Sequence, residues 1–124
     1  MIWDPYLECM DVEQRAQLQV RRLRDTIARL AANVPHYRAK FKELGINAED
    51  IRSLDDLKRL PFTEKDDLRD NYPYGLFAVP MEEIVRLHAS SGTTGKPTVV
   101  GYSASDIETW AECIARAIGC AGGT

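Results

Sequence analysis

Apolar residues recur along the first third of the chain with the period of a helix. Ala16, Val20, Leu23, Ile27, Leu30 and Val34 follow one another at steps of three or four residues, which lays one apolar stripe along a helix from Asp11 to Val34. Asp11 and Gln14, three residues apart, fit a capping box, and Pro35 ends the helix because the residue before a proline disfavours the α region. Arg15, Arg21, Arg22, Arg24 and Arg29 occupy the remaining faces, interleaved with Glu13 and Asp25, the pattern of a solvated helix face. A second helix is predicted over 35–44, with a proline at its start, Tyr37, Phe41 and Leu44 on one face, and Gly45 just beyond its end. Two shorter helices follow, each opened by a hydroxyl cap before an acid-rich first turn: Ser53 ahead of Asp55 and Asp56, and Thr63 ahead of Asp66 and Asp67. Pro61 separates them, and Tyr72-Pro73-Tyr74-Gly75 breaks the second, so residues 1 to about 72 read as a small all-helical bundle.

The period then changes. From Glu83 to Ala89 the side chains alternate, and Thr98-Val99-Val100-Gly101-Tyr102 is β-branched and aromatic, so both read as strands. A closing helix runs from Ser103 or Ser105 to about Ile118, carrying Ile107, Trp110, Ala111, Ile114, Ala117 and Ile118 at helical spacing; Gly119 or the Gly122-Gly123 pair stops it. Trp110 and Cys113 are expected to be buried in this apolar stretch. Trp3, Tyr6, Tyr37, Phe41, Tyr72, Tyr74 and Phe77 fit core and turn packing better than a substrate pocket. The predicted fold class is α+β, an N-terminal helical bundle followed by a strand-loop-strand and a helix.

Composition narrows the class. With 124 residues, 44% apolar and 28% charged, the chain has the make-up of a globular protein and the length of one domain. Its net charge of −3 lacks the basic excess that nucleic-acid binding needs. No window approaches the length of a membrane span, and the N-terminus has no signal-peptide pattern, so no membrane partner is expected. Cys9, Cys113 and Cys120 form an odd set without metal-ligand spacing, which predicts free thiols, a reducing cytoplasm and no metal site. His36 and His88 have no recognisable partner in the sequence and receive no role.

The chemistry lies between the two strands, in Ser90-Ser91-Gly92-Thr93-Thr94-Gly95-Lys96-Pro97-Thr98. Nearly every side chain there is a hydroxyl, a hydrogen or an ammonium. Glycines let the backbone approach a ligand, hydroxyls and amides donate to phosphate oxygens, and Lys96 adds a mobile positive charge. The set suits a polyphosphate. It is not the P-loop of Walker-type ATPases, since two residues instead of four separate the glycines and a strand, not a helix, follows the lysine. A solvated hairpin loop of the same composition is the competing reading.

The ordered string SSGTTGKP resembles the phosphate-binding signature of the adenylate-forming superfamily of acyl-CoA synthetases, peptide-synthetase adenylation domains and luciferases. RLPFTEKDDLRDNYPYGLFAVP at 59–80, RLHASSGTTGKPTVVGYSASDIETW at 86–110 and WDPYLECM at 3–10 are similar to the N-terminal part of the phenylacetate-CoA ligase family. The resemblance implies a helical microdomain over 1–75 and, over 76–124, the start of an α/β adenylating domain. It implies that ATP phosphates are held by Ser90, Ser91, Gly92, Thr93, Thr94, Gly95 and Lys96, with Mg2+ accompanying the ATP. It further implies that an aryl acid and coenzyme A are the other substrates, joined through an acyl-adenylate with release of AMP and diphosphate. No catalytic residue and no substrate pocket can be assigned within these residues. Downstream adenine, magnesium and C-terminal lysine motifs are missing, so the expectation is a fragment that is inactive alone. Another aryl acid in place of phenylacetate remains open, as does a helical dimerisation or interaction module in which the stripe from Ala16 to Val34 packs between two chains.

Overall fold

A long helix organises the N-terminal half. The computed structural model describes residues 2–91 and 95–123. After a single-turn helix α1 (Pro5–Glu8), α2 (Val12–Asn33) starts at Asp11, whose carboxylate accepts from the backbone N–H of Glu13 at 2.8 Å and of Gln14 at 3.4 Å. Gln14 thus contributes its amide rather than a reciprocal side-chain bond. Val34 ends α2 in extended geometry, and Pro35 opens α3 (Pro35–Leu44). Gly45 follows α3 in the left-handed region at φ 63°; its N–H donates to the Lys42 carbonyl, and the Ile46 N–H donates back to the Phe41 carbonyl at 2.9 Å. This terminating motif needs a residue that tolerates positive φ, and it folds Ile46 onto Phe41.

The core forms at that turn. Ile27, Phe41, Ile46 and Ile51 are buried against one another, with Leu23, Leu30, Tyr37 and Leu60 packed around them. The apolar stripe of α2 therefore divides: Ile27 and Val34 are buried, whereas Ala16 and Val20, two turns earlier, lie half-buried along a groove with Leu54. The segment after Ser53 is a 3-10 helix over Leu54–Arg59 rather than an α-helix. Asp56 closes its start by accepting from the N–H groups of Arg52 and Ser53 at 2.9 and 3.0 Å, which holds its carboxyl below the usual carboxylate range.

Helix α4 (Lys65–Asp70) begins one residue later than a Thr63 cap predicts. The Thr63 hydroxyl is hydrogen-bonded to the Tyr37 phenol, while Glu64 takes the cap position and the Asp67 carboxylate accepts from its N–H at 2.8 Å. The same carboxylate receives Lys40 Nζ of α3 at 3.0 Å on both oxygens and stands 3.3 Å from His36 Nε2, tying α3 to α4. The Glu64 N–H, and after it Lys40, lower the Asp67 pKa. His36, for which sequence suggested no role, is part of this clasp. The turn beyond α4 contains a cis Tyr72–Pro73 peptide.

A two-stranded antiparallel sheet follows, β1 (Ile84–Ala89) and β2 (Val99–Ser103). Ile84 pairs with Ser103 and Arg86 with Tyr102, so Val85 is an extra residue in β1; from there the register runs evenly to Ala89 opposite Val99. Gly101 lies against the Phe77 ring. Helix α5 (Ala104–Cys120) is capped by Ser103 and Asp106, the Ser103 Oγ accepting from the Asp106 N–H and the Asp106 carboxylate from the Ser103 N–H. It ends at Gly122 (φ 88°), with the Gly122 N–H on Gly119 O and the Gly123 N–H on Ile118 O; Gly119 itself is helical and buried.

Two expectations for this region are corrected. Cys113 is exposed, as are Cys9 and Cys120, and Trp110 keeps 43% of its surface in solvent. Helix α5 packs mainly on β2, and the apolar ridge of Trp110, Ile114 and Ile118 keeps much of its surface in solvent. Trp3 and Tyr6 are likewise exposed instead of core, and Tyr72 and Tyr74 are exposed in the turn after α4; the Trp3 indole N–H donates to Glu112 of α5 at 2.9 Å. The α+β class stands: mostly helical, with a two-stranded antiparallel sheet and a C-terminal helix.

Candidate functional site

The hairpin carries the hydroxyl- and glycine-rich segment at its tip. Beyond the last strand pair a further rung closes the loop: the Ser90 N–H donates to the Thr98 carbonyl at 3.0 Å, and the Thr98 N–H donates to Ser90 Oγ at 2.9 Å. The Ser90 hydroxyl oxygen accepts a bond that a strand carbonyl would normally take, and its O–H remains available to donate. Ser91, Gly95 and Lys96 are exposed at the mouth, and Gly95 sits at φ 137° with nothing within 4 Å of where a Cβ would be. Gly92, Thr93 and Thr94 lie outside the described residues. Of the seven residues read as phosphate ligands, the structure therefore places Ser90, Ser91, Gly95 and Lys96 on one open loop. Pro97 leads into β2, as its position before the strand predicts.

Two elements brace this loop. On one face of the hairpin His88, Tyr102 and Trp110 form a ring cluster: His88 to Tyr102 at 4.9 Å, Tyr102 stacked on Trp110 at 5.6 Å, and His88 edge-on to Trp110 at 5.9 Å. Tyr102 pairs with Arg86, so His88 and Tyr102 are diagonal neighbours on one face, a relation that appears only once the register is known. The opposite face meets Phe77, and behind it a cleft of about 410 Å³ opens between Leu30 and Phe77 on one side and Val99 and Gly101 on the other. The second element is the turn after α4. Tyr72 stands under Lys96, whose Nζ is 5.7 Å from the ring centroid; sequence reading treats the two as unrelated.

The loop presents a positive charge, hydroxyl and backbone donors and a strain-free glycine to solvent, which is the equipment for an anionic, multi-oxygen ligand. Among the described residues no group of three or more His, Cys, Asp or Glu side chains could hold a metal ion, and no helix is long and apolar enough to cross a membrane.

Over 120 residues the chain is 58% identical to the phenylacetate-coenzyme A ligase of Pseudomonas putida, a match that takes in 97% of this chain and 27% of the relative. By sequence the chain is similar to one part of the phenylacetate-coenzyme A ligases. The ligase of Escherichia coli (strain K12) is 53% identical over 121 residues, covering 98% of this chain and 28% of its own length. That of Thermus thermophilus is 51% identical over 122 residues, again 98% of this chain and 27% of the relative. The chain thus spans little more than a quarter of the length of the phenylacetate-coenzyme A ligases it matches. Among solved structures, 2-hydroxyisobutyryl-CoA ligase in complex with 2-HIB-AMP and CoA, in the thioesterification state, superposes with a TM-score of 0.83 at 34% identity, over 93% of this chain and 25% of that one. The same ligase in the postadenylation state with 2-HIB-AMP gives 0.81 at 31% identity, with the same coverage. No protein-family model matches the chain.

Proposed function

We propose that this chain forms the phosphate-holding part of an AMP-forming aryl-CoA ligase acting on phenylacetate. The observation that carries the reading is the near-complete alignment with phenylacetate-coenzyme A ligases, joined to a hairpin loop that offers Lys96 and free hydroxyls without a competing carboxylate among the described residues. Residues 1–75 serve as a helical unit and 76–124 as the opening of the adenylating domain, the two meeting where the Tyr72 ring stands under Lys96.

In the reaction so assigned, the carboxylate of the aryl acid attacks the α-phosphorus of ATP. The bond to the bridging oxygen breaks, and diphosphate leaves with the electron pair. The thiol of coenzyme A then loses its proton, attacks the acyl carbon and displaces AMP. The chain's own residues act on the first of these steps by position and charge. Ser90, fixed by its bond from Thr98, and Ser91 donate to phosphate oxygens, with Gly92, Thr93 and Thr94 completing the cradle. Gly95 lets the backbone come close, and Lys96 offsets the negative charge that gathers on diphosphate as it departs. Mg2+ accompanies the ATP and lowers its charge.

Support for nucleotide and thioester chemistry comes from the structural neighbours, which hold 2-HIB-AMP and, in one state, CoA. The test is phenylacetate-dependent exchange of pyrophosphate into ATP by the full-length protein. Exchange is expected, and Lys96→Ala is expected to lower kcat/KM for ATP by about 10- to 150-fold, the equivalent of one charge-assisted hydrogen bond. Absence of exchange with phenylacetate and with other aryl acids overturns the function, and wild-type ATP kinetics in Lys96→Ala overturns the role of the loop.

A further inference from the structure

Among the described residues Lys96 has no carboxylate partner; its ammonium stands over the ring of Tyr72, 5.7 Å from the centroid. Tyr72 comes from a distant part of the chain, the turn just past α4, and that turn is pinned. The Tyr72 N–H donates to the Arg69 carbonyl at 3.2 Å and the Gly75 N–H to the Asn71 carbonyl at 2.8 Å. The Asn71 side chain donates to the Asp67 carbonyl at 2.8 Å and meets His36 Nδ1 at 3.3 Å. The ring is thus carried on α4 and, through the Asp67 clasp, on α3. Lys96, in contrast, is exposed and follows a glycine at φ 137°.

We propose that Tyr72 is a positioning residue for Lys96, holding the loop's ammonium at the mouth of the hairpin in readiness for a polyphosphate. The inference rests on the reading of the loop as a phosphate site. Its physical basis is the choice of partner. A cation is drawn to the negative face of an aromatic ring, and the ring, being neutral, steadies the ammonium without cancelling its charge. A carboxylate in the same place would pair with the lysine and repel the incoming phosphate. An ammonium has three donors on a flexible four-carbon stem. One ring face occupies a single side of it and leaves donors free for ligand oxygens, while the stem loses freedom before binding instead of during it. The Tyr72 hydroxyl makes no hydrogen bond among the described residues, so the ring face is the working part.

The test is equilibrium binding of ATP to the full-length protein by titration calorimetry, with Tyr72→Phe, Tyr72→Leu, Lys96→Ala and the Tyr72→Leu/Lys96→Ala double variant. Tyr72→Phe is expected to bind as wild type. Tyr72→Leu is expected to weaken binding about two- to fivefold, the range of an exposed cation–π contact, and to have no further effect once Lys96 is alanine. Tyr72→Gln provides a second ringless variant should the leucine protein fail to fold. Affinity unchanged or improved in the ringless variants, with Lys96→Ala weakened, overturns the role of Tyr72 alone. An equal loss on top of Lys96→Ala overturns it as well, because the effect would then bypass the lysine. Unchanged affinity in Lys96→Ala overturns instead the phosphate reading on which the inference stands.

Discussion

Gly101→Ala isolates one contact between the hairpin and the segment before it, that of Gly101 with Phe77. A Cβ at Gly101 would stand 2.6 Å from both Cε2 and Cζ of Phe77 and 3.1 Å from Cδ1 of Ile84. Carbon pairs settle near 3.5–4.0 Å, so the ring or the strand has to move by about an ångström. Gly101 is not among the glycines with positive φ, so the substitution carries no conformational penalty. It regains roughly 0.5–1 kcal/mol of the entropy that a strand glycine loses. Against this, inserting a methyl into a packed contact costs about 1–3 kcal/mol. Phe77 borders the cleft behind the hairpin, which gives the ring somewhere to turn. With the ring free to relax, the net effect is a destabilisation of about 1 kcal/mol, seen as a fall in Tm of about 3–6 °C for a chain of this size. Thermal unfolding by circular dichroism of Gly101→Ala, Phe77→Leu and the double variant reads the effect directly. Leucine removes the ring carbons that the new methyl meets, so Gly101→Ala becomes neutral or stabilising in that background, a coupling of about 1 kcal/mol. A Tm at or above wild type with Phe77 intact, or the same fall in both backgrounds, refutes the reasoning.

Gly45→Ala reverses the cause: nothing lies within 4 Å of the new Cβ, but φ is 63°, so the whole cost is conformational, about 1–2 kcal/mol. Asparagine, which tolerates this region, should recover part of it in the same urea titration; an alanine variant as stable as wild type would exclude the left-handed cap as the reason for glycine. Asp50, Asp56 and Asp67 all titrate below their ordinary value of 3.8, each chiefly because backbone N–H groups bond its carboxylate. A depressed folded pKa gives stability that is complete above the unfolded value and is lost as the pH falls through the folded one. Unfolding free energy should therefore decline as the pH drops below about 4, less steeply in Asp67→Asn, and a flat profile down to pH 2 would contradict the assignment.

The parts legible in the sequence are those governed by local rules. Helix α2 shows as a stripe, Pro35 and Gly45 mark the limits of α3, and Ser103 or Ser105 marks the start of α5, because period, fixed φ, positive φ and capping act over four residues or fewer. The hydroxyl- and glycine-rich loop shows because its composition is extreme. What stays hidden depends on neighbours. Thr63 has the chemistry of a cap but is engaged by Tyr37, 26 residues away. Trp110 and Cys113 belong to an apolar helix, and a period identifies the face that seeks cover without identifying what covers it. Tyr72 under Lys96, and His88 beside Tyr102, are juxtapositions that no spacing along the chain encodes.

The extra residue Val85 has a consequence at the far end of its strand. Were Ile84 and Ser103 the start of an unbroken ladder, each step would keep the two numbers summing alike, and Ser90 would arrive opposite Pro97, which has no N–H to give. Because β1 spends one residue early, every later pair is offset by one and Ser90 arrives opposite Thr98, which donates to its hydroxyl oxygen. A bulge five residues away thus selects a threonine over a proline as the partner that seals the loop. A ladder that paired Val85 with Tyr102 would leave the composition of the loop untouched and dismantle its closure.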